Sequence, residues 1–71
     1  MDANTTTAAT ARTVTIEVAD VPTQTLGTGY VVRVDGRDAS HIYFDRDAAA
    51  DLATRKADGY HLADYVVTLR A

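Results

Sequence analysis

One stretch of this chain, Phe44 to Gly59 (FDRDAAADLATRKADG), has helical periodicity, and everything around it reads as strand, turn or tail. Ala48, Ala49, Leu52 and Ala53 recur at helical spacing and so form a single apolar stripe. Asp45 is placed to cap the N-terminus, and Asp47 puts a second carboxylate at the positive end of the macrodipole. Arg55 and Lys56 sit where the last turn favours cations. Gly59 reads as the stop signal just past a helix of Arg46 to Asp58, about 20 Å long. With Leu52 as its one large apolar residue, such a helix buries its stripe by lying close against a sheet.

The flanking segments supply that sheet. Thr13 to Ala19 alternates, with Val14, Ile16 and Val18 on one side and Thr13, Thr15 and Glu17 on the other, as a half-buried strand does. Asp20 to Gly27 reads as a loop of about eight residues, because Pro22 removes a ladder donor, and Leu26 is placed to dip back toward the core. Thr28 to Val34 is a second strand, with Tyr30, Val32 and Val34 inward and Val31 and Arg33 outward. It runs into Asp35-Gly36, a hairpin signal because the favoured two-residue turns need positive φ. The turn is expected to extend over Asp35 to Ala39, with Ser40 to Phe44 returning as a third strand. Ile42 and Phe44 then point inward, and His41 and Tyr43 outward. Tyr60 to Leu62 connect the helix to a last strand, Asp64 to Arg70, with Tyr65, Val67 and Leu69 inward and Val66, Thr68 and Arg70 outward.

The predicted fold is a small α+β domain over residues 13–71, with element order β-β-β-α-β. Its antiparallel or mixed four-stranded sheet carries one helix on one face. Residues 1–12 (MDANTTTAATAR) hold no large apolar side chain beyond the first methionine and are expected to be a flexible tail. If the helix reverses the chain direction, the last strand runs parallel to the first and third. The preferred position is beside the first strand in a mixed sheet, and exchange of that strand with a second copy satisfies the same pattern.

At 71 residues the chain has room for one small core of marginal stability. Its 46% hydrophobic and 24% charged residues are those of a soluble globular protein, and a net charge of -3 declares neither a strongly basic nucleic-acid binder nor an acidic mimic. The absence of cysteine excludes disulfides, thiolate metal sites and a cysteine nucleophile. No apolar run is long enough to cross a bilayer, and Asp2 with its threonine tract replaces the charge and apolar segment of a signal peptide. A cytoplasmic protein is therefore expected, with no membrane contact. A core this small, without staples, gains from burying surface against a second chain, so a homodimer or a protein partner is expected.

The residue types that carry chemistry are present, but not in chemical arrangements. His41 and His61 have no short ligand spacing and read as surface histidines. Asp45, Asp47 and Asp51 read as a cap and a solvated helix face, and Asp35-Gly36 lacks the later oxygen ligands of a calcium loop. Gly27-Thr28-Gly29 leads into a strand and not a helix N-terminus, so it is no phosphate cradle. Ser40 stands alone, without the turn context of a nucleophilic serine. No catalytic residue, metal or cofactor is expected, and the chain reads as noncatalytic.

The segment from Gly29 to Ala57, two strands leading through YFDRDAAADLA into a helix, resembles the sheet-plus-helix module of AP2-type DNA-binding domains and of the arm-binding domains of tyrosine integrases. The matching residues are Phe44, Asp45, Asp47, Ala48 and Ala49. The resemblance implies a sheet face laid in the major groove, with Arg33, Arg37, His41, Tyr43 and Arg70 as candidate DNA contacts. The negative net charge disfavours nucleic acid as the partner.

Strand spacing of about 4.8 Å makes a four-stranded sheet nearly 20 Å wide, whereas a helix is about 10–12 Å across. One helix therefore shields part of one face, and the functional surface is expected on the opposite face or along an edge strand. Val31, Arg33, Tyr43, Val66 and Arg70 are the expected interaction surface. The leading expectation is a small protein-interaction module, an accessory protein of a phage or mobile element. A sheet-face DNA-binding domain and an inhibitor of a host enzyme or nuclease are the alternatives.

Overall fold

The computed structural model describes residues 12–71 as β1 (Arg12–Pro22), β2 (Thr28–Val34), β3 (Arg37–Asp38), α1 (Arg46–Leu62) and β4 (Tyr65–Arg70). The strands form one mixed sheet in the order β3-β2-β1-β4, in which β1 is antiparallel to β2 and parallel to β4. The predicted element order is present, and the last strand lies beside the first as expected. The expected tail falls, but for Arg12, outside the described residues. Arg12 opens β1, where it pairs with Tyr65 and sets its guanidinium 5.7 Å from the tyrosine ring centroid.

The alternation of β1 sets the sides of the sheet. Ile16 opposes Val34 on β2 and Leu69 on β4, and Val18 opposes Val32, so Val14, Ile16, Val18, Tyr30, Val32, Val34, Tyr65, Val67 and Leu69 share one side. α1 packs on that side across β4, β1 and β2. Its buried residues are Ala49, Ala53 and Ala57, one turn apart, and they meet Val14, Ile16 and Val32. Methyl side chains in that stripe let the helix axis approach the strands closely. Burial of Ile16 alone is worth about 1.5–3 kcal/mol. Leu52 is only half-buried, at the margin of the stripe.

Asp45 caps α1 as expected: its backbone is extended, and its carboxylate accepts the Asp47 N–H at 3.0 Å. The other end differs from expectation. Gly59 lies inside the helix, which continues through Tyr60, His61 and Leu62. Tyr60 falls three residues after Ala57, which keeps it on the packed face, and its ring meets that of Tyr65 edge-on at 5.0 Å. That packing outweighs the roughly 1 kcal/mol that an interior glycine costs a helix. The stop is made by Asp64, whose φ of 66° is left-handed, while the N–H groups of Ala63 and Asp64 close the last turn on the carbonyls of Tyr60 and His61, each at 3.0 Å.

The β1–β2 connection is also shorter than expected. β1 pairs as far as Pro22, opposite Thr28, which leaves a five-residue loop (23–27). The loop is closed by Thr23, whose N–H donates to the Gly27 carbonyl at 2.8 Å and whose hydroxyl accepts from the Leu26 N–H at 3.2 Å. Proline is accommodated because it sits at the strand's end. Leu26 does not dip into the core: it is exposed at the loop tip.

Asp35-Gly36 makes a two-residue turn and not the longer one expected. Val34 pairs directly with Arg37, and both turn residues have positive φ, 51° and 82°. The return segment is then broken. An unbroken ladder would set His41 opposite Tyr30, but Tyr43 occupies that place, so two extra residues are taken up between Ala39 and Tyr43. There the Val32 N–H is satisfied by the Ser40 hydroxyl at 2.9 Å, while Ala39 still donates to the Val32 carbonyl at 2.8 Å.

Candidate interaction surfaces

The side of the sheet away from α1 is set by the same registers. Thr13, Thr15, Glu17, Ala19 and Val21 of β1 lie between Val66, Thr68 and Arg70 of β4 and Gly29, Val31 and Arg33 of β2. This face divides in two. Near the β1–β2 loop it is apolar, and Ile42 lies over Gly29 so closely that a Cβ there would meet the Ile42 Cγ2 at 2.4 Å. Toward the other end it is polar, and one rank of charges crosses all four strands. Arg70 opposes Glu17, Glu17 opposes Arg33, and Arg33 opposes Asp38, with Arg33 Nε donating to the Asp38 carboxylate at 2.8 Å. The signs alternate along the rank, so each cation has an anion beside it.

Of the residues expected to form one interaction surface, only Arg33 and Arg70 are brought together, in that rank. Val31 is on the expected side but only 2% exposed, with Gly29 and its covering Ile42 two positions along the strand. Tyr43 faces the opposite way from expectation. The two-residue turn, by setting Arg37 opposite Val34, puts Tyr43 on the helix side, and the insertion then pairs it with Tyr30 against the core, while Ile42, expected inward, lies on the open face and Phe44 is exposed. Val66 is on the open face at 57% exposure, but opposite Thr13, six β1 positions from the Ala19 that opposes Val31. At about 3.3 Å per residue that is about 20 Å, so the three apolar residues form no cluster.

The candidate DNA contacts are divided in the same way. Arg37, opposite Val34, is on the helix side, and His41 lies against Tyr43 with ring centroids 4.4 Å apart. Asp51 pairs with Arg55 along the helix, as a solvated face does. His61 is in the last turn of α1, next to β4, whereas His41 flanks β2. Among the described residues no three histidines or carboxylates converge as a metal site, and no helix is long and apolar enough to cross a membrane.

An edge strand was expected from the sequence, with none singled out, and the structure places β4 there. It is the last strand in the sheet order and pairs with β1 without interruption over six residues, and among the described residues no strand pairs with its outer flank. Val66 on one side and Leu69 on the other, 42% exposed, border that flank, and Leu62, the last residue of α1, is 88% exposed. Alternation alone assigns Leu69 to the buried side. What leaves it exposed is its place at the edge, which depends on strand order. No family model matches the chain, and neither a curated protein nor a solved structure matches it.

Proposed function

We propose that this chain is a small noncatalytic protein-interaction module that works through the free edge of β4. The carrying observation is the six-residue outer flank of β4, bordered by exposed Val66 and Leu69. A strand in that position offers a row of backbone donors and acceptors to a second strand, while flanking apolar side chains add burial. An inhibitor encoded by a phage or mobile element, covering a host enzyme or nuclease, is one use of such an edge. The charge rank gives little support to DNA as the partner, since Glu17 and Asp38 balance Arg33 and Arg70 and leave little net attraction for phosphates.

The test is selection of extended peptides from a displayed library against the folded protein. Binders are expected to perturb the amide resonances of β4 and to be lost on Val66→Lys with Leu69→Lys. Binders indifferent to both substitutions sink the proposal. Fluorescence anisotropy with duplex DNA at low salt is expected to show no binding that depends on Arg33 and Arg70.

A further inference from the structure

We infer that β4 is exchanged between two copies of this chain: the turn at Ala63 and Asp64 opens, and each β4 docks on the β1 and α1 of the other copy. The inference is separate from the edge reading above, because the outer flank of β4 stays free in the exchanged form.

The partner follows from what β4 already fits. It is the last element of the chain, held by its parallel ladder with Arg12 to Glu17 of β1 and by packing on α1, where Tyr65 meets Tyr60 edge-on. A second copy offers the same ladder and the same helix face, so each of those contacts is remade on exchange. The balance between the closed and exchanged forms then rests on the connection, on contacts made new beside it, and on the entropy of association.

The connection is two residues long and strained. Asp64 has a φ of 66°, a left-handed conformation that is costly for a residue with a Cβ. Asp35, also left-handed, is tied to β1: its N–H donates to the Thr15 carbonyl at 2.8 Å and its carboxylate accepts the Thr15 N–H at 2.9 Å. The N–H bonds that close the turn at Asp64 reach only the helix end, running from Ala63 and Asp64 to the carbonyls three residues back, those of Tyr60 and His61. Continuing α1 by two residues replaces them with bonds to Gly59 and Tyr60, four residues back. Opening therefore keeps the backbone hydrogen bonds and releases the left-handed residue, and short hinges under strain favour exchange.

Leu62 supplies the new contact. It is the last residue of α1 and is 88% exposed. Opening sends β4 onward from its own helix, whereas a docked β4 runs back along the helix it packs on. The two helices of an exchanged pair thus lie antiparallel and end to end, with a two-fold axis between their C-termini. Both copies of Leu62 then stand beside that axis, and a side chain left in water by the closed form gains an apolar neighbour.

The chain has no cysteine, so a pair at opposing positions of the β1–β4 ladder, Thr13→Cys with Val66→Cys, reports which copy's β1 each β4 covers. The variant is refolded at high and at low concentration, diluted, separated by size and oxidised. The dimer fraction is expected to grow with the concentration at refolding and to persist on dilution, because β4 must undock before the copies part. Its disulfides are expected to join two chains on a denaturing gel, while those of the monomer stay within one. A dimer whose disulfides stay within one chain overturns the exchange, as does a covalent dimer formed equally by Val66→Cys alone, or a chain monomeric after both refoldings. Asp64→Gly, which makes the left-handed turn cheap, and Leu62→Asp are each expected to weaken the dimer on the order of tenfold while the monomer still folds by circular dichroism. These two carry the test should the disulfide not form, and a dimer indifferent to both also overturns the inference.

Discussion

At one edge of the sheet, β3 pairs for two residues and then gives way to a segment in which the Ser40 side chain replaces a backbone acceptor and two extra residues are absorbed. At the other, β4 keeps an unbroken register with β1 for six residues. Both edges have exposed apolar side chains nearby, Ile42 and Phe44 at the first and Val66 and Leu69 at the second. The difference is therefore in the backbone. An edge that bulges and bends presents no regular row of donors and acceptors, whereas an unbroken one does. Surface hydrophobicity alone would rank the two edges alike, and pairing regularity separates them.

The largest expected effect comes from breaking the irregular edge. Gly29→Val drives a side chain into Ile42 and toward the Tyr43 carbonyl, and is expected to cost about 1–3 kcal/mol, read as a lower melting temperature with loss of amide protection at Tyr30 and Tyr43. Ser40→Ala leaves the half-covered Val32 N–H without its acceptor, for an expected loss of about 1–2 kcal/mol in denaturant unfolding. Gly59→Ala acts on the other side, by way of the helix turn that sets Tyr60 on Tyr65. Its Cβ meets nothing within 4 Å, so a gain of about 0.5–1 kcal/mol is expected, and a loss would show that the last turn is not helical. Val66→Lys with Leu69→Lys is expected to shift the stability of the isolated fold by no more than about 0.5 kcal/mol while abolishing association. If that double change unfolds the chain, β4 is a structural strand and not a free one.

How far the sequence could be read follows from how local each determinant is. Val14, Ile16 and Val18 declare their side by alternation, and Asp45 with Asp47 declares the helix start, since each signal is contained within a few residues. The segment from Ser40 to Phe44 failed for a physical reason. His41 and Tyr43 alternate with Ile42 and Phe44, so both possible sides carry large rings or aliphatic groups, and the pattern does not choose between them. The choice is made by Asp35-Gly36, which sets Val34 against Arg37 and so puts the odd-numbered residues on the helix side, and the insertion after Ala39 advances the pairing by two residues without changing that side. Gly59 misled because glycine is a frequent stop signal, and Tyr60, at helical spacing from Ala57, was the local clue that the helix continues. The charge rank was not legible, because Arg70, Glu17, Arg33 and Asp38 come from four strands and become neighbours only through the registers.

The parallel pairing of β4 with β1 also sets an order of events. Ladders joined by a five-residue loop and a two-residue turn close with little loss of chain entropy, whereas Arg12 and Tyr65 must meet across most of the described chain. β4 is therefore expected to dock late, and until it does the flank of β1 that it covers is itself an open edge. Association through β4 is then available only to molecules that have finished folding, so the step that removes the route to misassembly also creates the site of specific assembly.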